Sequence, residues 1–254
     1  MSLRVEGRSG DRRSYATLIA IVEALIIALL VRSFLFEPFS IPSGSMEPTL
    51  LIGDYLFASK FSYGYSRYSL PFAPPLFWGR VLAAAPKRGD VVIFRHGSLD
   101  FIKRVIGLPG DRIQLVHGTI FINGTPVERH QVADFSGHDP CGPAPPDSPP
   151  VLVARWRETL SNGVSYNTLQ CSTTDAFPND TGVYVVPTDH FFMMGDNRDN
   201  SEDSRFPDVG YVPFENLVAR AQIIFFSIGD RKAGWELWSW PWSARWNRLF
   251  MPVR

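Results

Sequence analysis

From Ala16 to Phe36 the chain is apolar but for Thr17, Glu23, Arg32 and Ser33. A helix needs about 20 mostly apolar residues to cross the hydrocarbon of a bilayer, so this run predicts a single transmembrane anchor. Glu23 and Arg32 lie towards its ends, where charged side chains can reach the headgroups. Beyond it the pattern changes period. Asp90 to Arg95, Phe101 to Ile106, Ile113 to Val116, Thr119 to Ile122, Val183 to Val186 and Gln222 to Phe226 are short apolar runs rich in β-branched side chains. Gly97, Gly107-Leu108-Pro109-Gly110 and Asn123-Gly124 punctuate them as turns between strands do. Outside the anchor, only the extreme C-terminus shows helical periodicity.

These signals predict a mostly β protein: a mixed antiparallel β-sheet core with a small β insertion, preceded by one N-terminal transmembrane helix. His138 to Pro150 holds six prolines and reads as a loop opening the insertion. Within it, Val151 to Thr159 and Val164 to Leu169 pair across Ser161-Asn162-Gly163 as a hairpin. The expected divisions are an N-terminus (1–15), the anchor (16–36), a core in two parts (37–125 and 183–228), the insertion (126–182) and a tail (229–254).

Arg4, Arg8, Arg12 and Arg13 precede the anchor, with Glu6 and Asp11 as the only acids there. The excess of positive charge assigns that end to the cytoplasm and the remainder to the far side of the membrane. The alternative is a removable leader, but Val31 to Phe36 supplies bulky residues where a cleavage site needs small ones.

Composition adds three points. The 254 residues suit one catalytic domain with an insertion, and a net charge of +0 gives no reason to expect a nucleic-acid partner. Of the 25 basic residues only Lys60, Lys87, Lys103 and Lys232 are lysines, a short list for amine chemistry because Arg stays protonated. Cys141 and Cys171 share the turn-rich insertion; outside the cytoplasm a disulfide between them is expected, and otherwise two free thiols.

Two aromatic regions stand apart. Phe61 to Phe77 is rich in Tyr, Phe and Pro with Arg67 its only charge, and is either packed on the core or dipped into lipid. The tail holds Trp235, Trp238, Trp240, Trp242 and Trp246, interleaved with Arg231, Lys232, Arg245 and Arg248. Such a mixture favours a membrane interface, against the alternative of a tail packed back on the domain.

The candidate chemistry begins at Ser45, between Gly44 and Met46 just past the anchor. A Ser hydroxyl is a poor nucleophile until a base takes its proton. His96, His117, His130, His138 and His190 form no companion pattern, and no Gly-x-Ser-x-Gly or Ser-x-x-Lys spacing includes Ser45. No His or Cys spacing suggests a metal, and no cofactor is expected. A Ser-Lys dyad remains. In an extended Asp100 to Ile106, Phe101, Lys103 and Val105 share one face, where an amine among apolar side chains sheds its proton more readily. The competing assignment is a lysine pointing into water; Lys60 and Lys87 read as solvated loop residues. A third patch, Gly195 to Arg205, is either a solvated turn or a polar loop delivered to the site by Phe191 to Met194.

Taken in order, Pro42 to Leu50, Gly53-Asp54, Lys87 to Val92, Ile102 to Asp111 and Gly195 to Arg205 resemble the motifs of bacterial type I signal peptidases (leader peptidases). The resemblance covers roughly residues 16 to 226. It implies a membrane-anchored serine endopeptidase that removes signal peptides from exported preproteins after Ala-x-Ala sites. By it, Ser45 is the nucleophile and Lys103 the general base, and Ser43 adds a hydroxyl to an oxyanion hole beside the Ser45 N–H. Ser201 would orient the Lys103 amine, while Asp196 pairs with Arg104 and Asp203 with Arg205. Phe39, Ile41, Met46, Leu50, Phe101 and Ile102 would shape shallow pockets for small side chains. Phe101 stands where many relatives have Tyr. The implied setting is the bacterial inner membrane, crossed once, with the catalytic domain on the periplasmic side. There the enzyme, a monomer by default, would meet preproteins, lipid and, by proximity, the secretion machinery. Rival assignments are a pilus- or conjugation-type processing peptidase, a soluble self-cleaving repressor, and an inactive anchored binding protein.

Overall fold

The computed structural model describes residues 9–70, 73–137, 140–142, 149–171, 178–229 and 240–254, and the side chains of these except 9–13 and 240. Arg4, Arg8 and the side chains of Arg12 and Arg13, expected to orient the anchor, the tail residues Arg231, Lys232, Trp235 and Trp238, and His138 therefore lie outside what is described. Helix α1 spans Ser9–Phe34, and its Ser14–Phe34 part is long and apolar enough to cross a membrane. Most of its side chains face outward, and the helix meets the rest of the protein at its C-terminal end, where Ser33 is buried and the Phe34 ring lies 5.7 Å from that of Tyr65. The helix stops short of the expected Phe36 because that residue opens strand β1 (Phe36–Ser40), which pairs with β2 (Asp54–Ser59). Only Leu35 separates helix from strand. The junction is pinned on two sides: the Lys60 N–H donates to Leu35 O at 2.9 Å, and the Tyr65 hydroxyl to Phe34 O at 2.8 Å.

Strands are numbered in chain order. The main sheet adds β3 (Val91–His96), β4 (Leu99–Gly107), β12 (His190–Met194), β13 (Val212–Pro213), β14 (Leu217–Ser227) and β15 (Met251–Pro252). Its order is β1-β2-β14-β3-β4-β12-β13, with β15 also on β14, and every pairing is antiparallel. A second sheet joins β5 (Arg112–Val116), β6 (Thr119–Ile122), β7 (Thr125–Pro126) and β11 (Tyr184–Val185). The third is β8 (Glu128–Gly137), β9 (Val151–Thr159) and β10 (Ser165–Gln170). The molecule is thus mostly β, built of antiparallel sheets behind one apolar helix.

The unbroken run Val91-Val92-Ile93-Phe94 has a simple cause: β3 is covered on both faces. Val91 and Ile93 join Ile41, Met46, Leu50 and Leu56 in one cluster. Val92 and Phe94 join Val105, Met193 and Leu217 in another on the opposite face. A third cluster, around Ile106, Ile113, Leu115 and Phe192, ties the second sheet to the first.

Three expectations are corrected or refined. Lys60 is not solvated: only 3% exposed, its ammonium pairs with Glu37 at 2.8 Å and donates to Ser69 O at 2.7 Å. Its partner comes from the neighbouring strand, where sequence proximity gives no hint. Among the described residues of the 61–77 segment, Tyr63 is held on the core, its hydroxyl donating to Asp90 at 3.0 Å, while Phe61 and Leu76 stay exposed. In the tail, Arg248 grips Asp54 with two bonds of 3.0 and 2.6 Å and Arg245 donates to Ile52 O, so these cations face the protein. Trp242 and Trp246 remain exposed.

Candidate active site

The chain enters the site from β1. Ile41 N donates to Asp54 O and Gly53 N to Ile41 O, closing the base of the loop that follows. A single 3-10 turn over Gly44–Met46 then presents Ser45. Met46 and Leu50 drive into the core beneath and fix the turn. Ser43 caps the turn without using its side chain, which leaves its hydroxyl available, with its Oγ 3.5 Å from that of Ser45.

Lys103 lies in β4 opposite Val92. Its Nζ donates to Ser45 Oγ at 2.8 Å, although the two residues are 58 positions apart. Lys103 is 4% exposed and Ser45 8%. Burial pushes the Lys103 pKa down from 10.5 to about 8, against the raising influence of Asp203. At pH 7 roughly a tenth of the molecules then carry a free amine, far more than an unperturbed lysine would allow. Among the described residues no histidine bonds to Ser45, and no three metal-ligating side chains converge as a metal site requires.

The loop after β12 surrounds this pair. Asp196 receives two bonds from Arg104, at 2.7 and 2.6 Å, both side chains being buried. Thr49, from the turn that carries Ser45, donates to the same carboxylate at 2.5 Å. Asp203 is held by Arg205 at 2.8 and 2.9 Å and accepts the Gly195 N–H. Burial alone would raise the Asp203 pKa, but Arg205 outweighs it and keeps the group ionised. Gly195 is required here: a Cβ would stand 2.2 Å from Ser201 Oγ and 2.5 Å from Ser45 O.

The structure departs from expectation at two places. The Ser201 hydroxyl, expected to orient the Lys103 amine, is buried with no hydrogen-bond partner. It packs against Gly195 while the amine is taken by Ser45. Of the six expected pocket residues, Ile41, Met46 and Leu50 are buried core with Phe39 and Ile102 partly exposed against them, while Phe101 packs on the cluster of the opposite face.

Sequence reasoning missed Asn197, Glu158, Arg198 and Tyr166. Arg198 forms a buried bidentate pair with Glu158 of β9, at 2.8 and 2.5 Å, and the Tyr166 hydroxyl of β10 donates to the same carboxylate at 3.0 Å. Tyr166 also lies under the Arg104 guanidinium at 4.0 Å. Backbone bonds from Leu169 N to Asp196 O and from Arg198 N to Leu169 O dock β10 on the loop. Cys141 and Cys171 are joined in a disulfide, their Cα atoms 5.8 Å apart. Arg198 and Asn197 lie inside the motif, but their partners lie in the insertion, where no spacing marks them.

A family model described as signal peptidase, peptidase S26, matches residues 14–226. A signal peptidase I of Rickettsia typhi (strain ATCC VR-144 / Wilmington) is 42% identical over 246 residues, 89% of this chain and 89% of that one. One from Rickettsia akari (strain Hartford) is 42% identical over 246 residues, 89% of this chain and 88% of that one. A crystal structure of a signal peptidase I from Enterococcus faecalis V583 aligns at a TM-score of 0.30 and 22% identity, covering 54% of this chain and 97% of the other.

Proposed function

The chain belongs to the signal peptidase family, peptidase S26, a family of serine endopeptidases, and on that premise we propose that it removes signal peptides from exported preproteins with Ser45 as nucleophile and Lys103 as general base. The observation that carries this reading is the 2.8 Å bond between a buried lysine amine and a serine hydroxyl. The uncharged amine takes the Ser45 proton as Oγ attacks the scissile carbonyl. The ammonium then gives that proton to the leaving amine, and the acyl-enzyme is released by a water that Nζ activates in turn.

The Ser45 N–H and the Ser43 hydroxyl stabilise the oxyanion. Replacing Ser43 by Ala removes one of these donors and lowers kcat about 100-fold, with KM little changed, since the bond matures only in the transition state. Steady-state kinetics on a preprotein checks this; an equal fall in substrate affinity would place Ser43 in ground-state binding instead.

Phe39 and Ile102 form the walls of the substrate pocket, with Phe101 on the other side of β4. Ile41, Met46 and Leu50 fill the space beneath, so a pocket above them is shallow. A filled floor admits Ala and excludes larger side chains by clash, which supports cleavage after Ala-x-Ala. The N-terminal helix anchors the enzyme in the inner membrane with its N-terminus in the cytoplasm and its catalytic domain outside. The test is cleavage of an Ala-x-Ala preprotein by the full chain in detergent micelles, with the new N-terminus read by mass spectrometry. The expected product begins just after the second Ala, and Leu in place of that Ala abolishes cutting. Failure to cut any exported precursor would overturn the reading.

A further inference from the structure

Asn197 is fully buried beside the nucleophile and has no part in the mechanism above. Its N–H donates to Ser45 O at 3.1 Å. Its side-chain nitrogen donates to Gly44 O at 3.1 Å and to Pro140 O at 2.5 Å. Both side-chain partners are carbonyls, which only accept, so the orientation of the amide is fixed by chemistry.

The consequence follows from peptide planarity. Gly44 O and the Ser45 N–H belong to one rigid peptide unit, and Ser45 O belongs to the next. Asn197 therefore holds both planes that flank the Ser45 Cα, one of them carrying the oxyanion donor. Asn197 is itself held from outside. Pro140 precedes Cys141, whose disulfide partner Cys171 directly follows β10, the strand on which Leu169 bonds with Asp196 and Arg198, the two neighbours of Asn197. The crosslink closes a ring through the insertion that leads back to Asn197.

We propose that Asn197 is a positioning residue for the nucleophile turn and that the Cys141–Cys171 disulfide acts through it, by keeping the Pro140 carbonyl in place. This deepens the assignment of Ser45 as nucleophile and rests on it. A misplacement of about 1 Å at a reacting centre costs on the order of 100-fold in rate. Asn197→Ala should accordingly lower kcat about 100-fold with KM within about threefold. Cys141→Ala with Cys171→Ala should lower kcat about fivefold, and the two changes combined should fall well short of the product, because they share one route.

The assay is preprotein cleavage by the full chain in micelles. Independent, multiplicative losses would overturn the coupling, and an unchanged kcat in Asn197→Ala would overturn the positioning role. Should Asn197→Ala fail to fold, a dithiol reductant on the wild type serves instead. The reductant is oxidised to its own disulfide while Cys141 and Cys171 take up two electrons and two protons. A kcat that falls and returns on reoxidation supports the proposal; an indifferent kcat overturns it. Cleavage surviving Ser45→Ala would remove the nucleophile assignment and this inference with it. An inactive Ser45→Ala beside a fully active Asn197→Ala would remove this inference alone.

Discussion

Replacing Lys103 by Met lowers preprotein cleavage about 10,000-fold while leaving the fold intact. Methionine fills much the same volume, so packing around the strand is kept and only the amine is lost. Lys103→Arg fails equally, because a guanidinium stays charged and cannot accept the Ser45 proton. Ser45→Ala falls to the same level, and the double variant falls no further, since nucleophile and base act as one unit. The wild type adds a pH signature. With the Lys103 pKa lowered to about 8 by burial, kcat/KM rises as pH increases through that value and then levels off. The linked stability has a definite sign. Between about 8 and the ordinary 10.5 the unfolded chain keeps a proton that the folded chain has released, so stability rises with pH across that window. Below about 8 the buried ammonium opposes folding, and Lys103→Met is therefore at least as stable as wild type at neutral pH. A rate profile flat through pH 8, or a Met variant that still cuts, would sink the dyad.

Replacing Arg104 by Ala lowers stability by about 4 kcal/mol, a drop of about 10 °C in Tm for a domain of this size. The loss exceeds that of a surface pair because Asp196, 1% exposed, is left as a buried charge, with Thr49 as its remaining side-chain donor. Arg104 also donates to Gly89 O at 2.7 Å and to Arg254 O at 3.1 Å, so the β3–β4 region and the end of the tail loosen with it. Differential scanning calorimetry against wild type measures the effect. Asp196→Asn with Arg104→Met should recover part of it by removing both charges. A single variant as stable as wild type would show that water reaches this pair.

Much of the frame is legible in the sequence because apolar alternation and Gly or Pro punctuation report strands directly. β6 and β9 fall on their expected residues, and β3, β4, β5 and β10 within two. β1 was missed because Glu37 and Pro38 break its pattern, and β8 because its exposed residues outnumber its half-buried ones. In the site, the meeting of Ser45 and Lys103 was readable because a serine without a companion histidine calls for an amine, and the structure brings the two within 2.8 Å. Lys60 was not, for its burial depends on a carboxylate from a neighbouring strand. Glu158 and Arg198 were unreadable for the same reason: an ion pair spanning 40 residues leaves no spacing behind. Ser201 shows the opposite failure, a hydroxyl whose place in a motif does not fix its bond.

The single residue between α1 and β1 has a mechanical consequence. On the proposed anchoring, the lack of slack between the lipid-length helix and the strand leading to Ser45 would make the domain the head of a lever rather than a float on a tether. Any lean of the helix would be passed directly to the cutting edge. On that anchoring, the same junction would set the height of Ser45 above the bilayer surface, and a bond presented too near or too far would have to come to it.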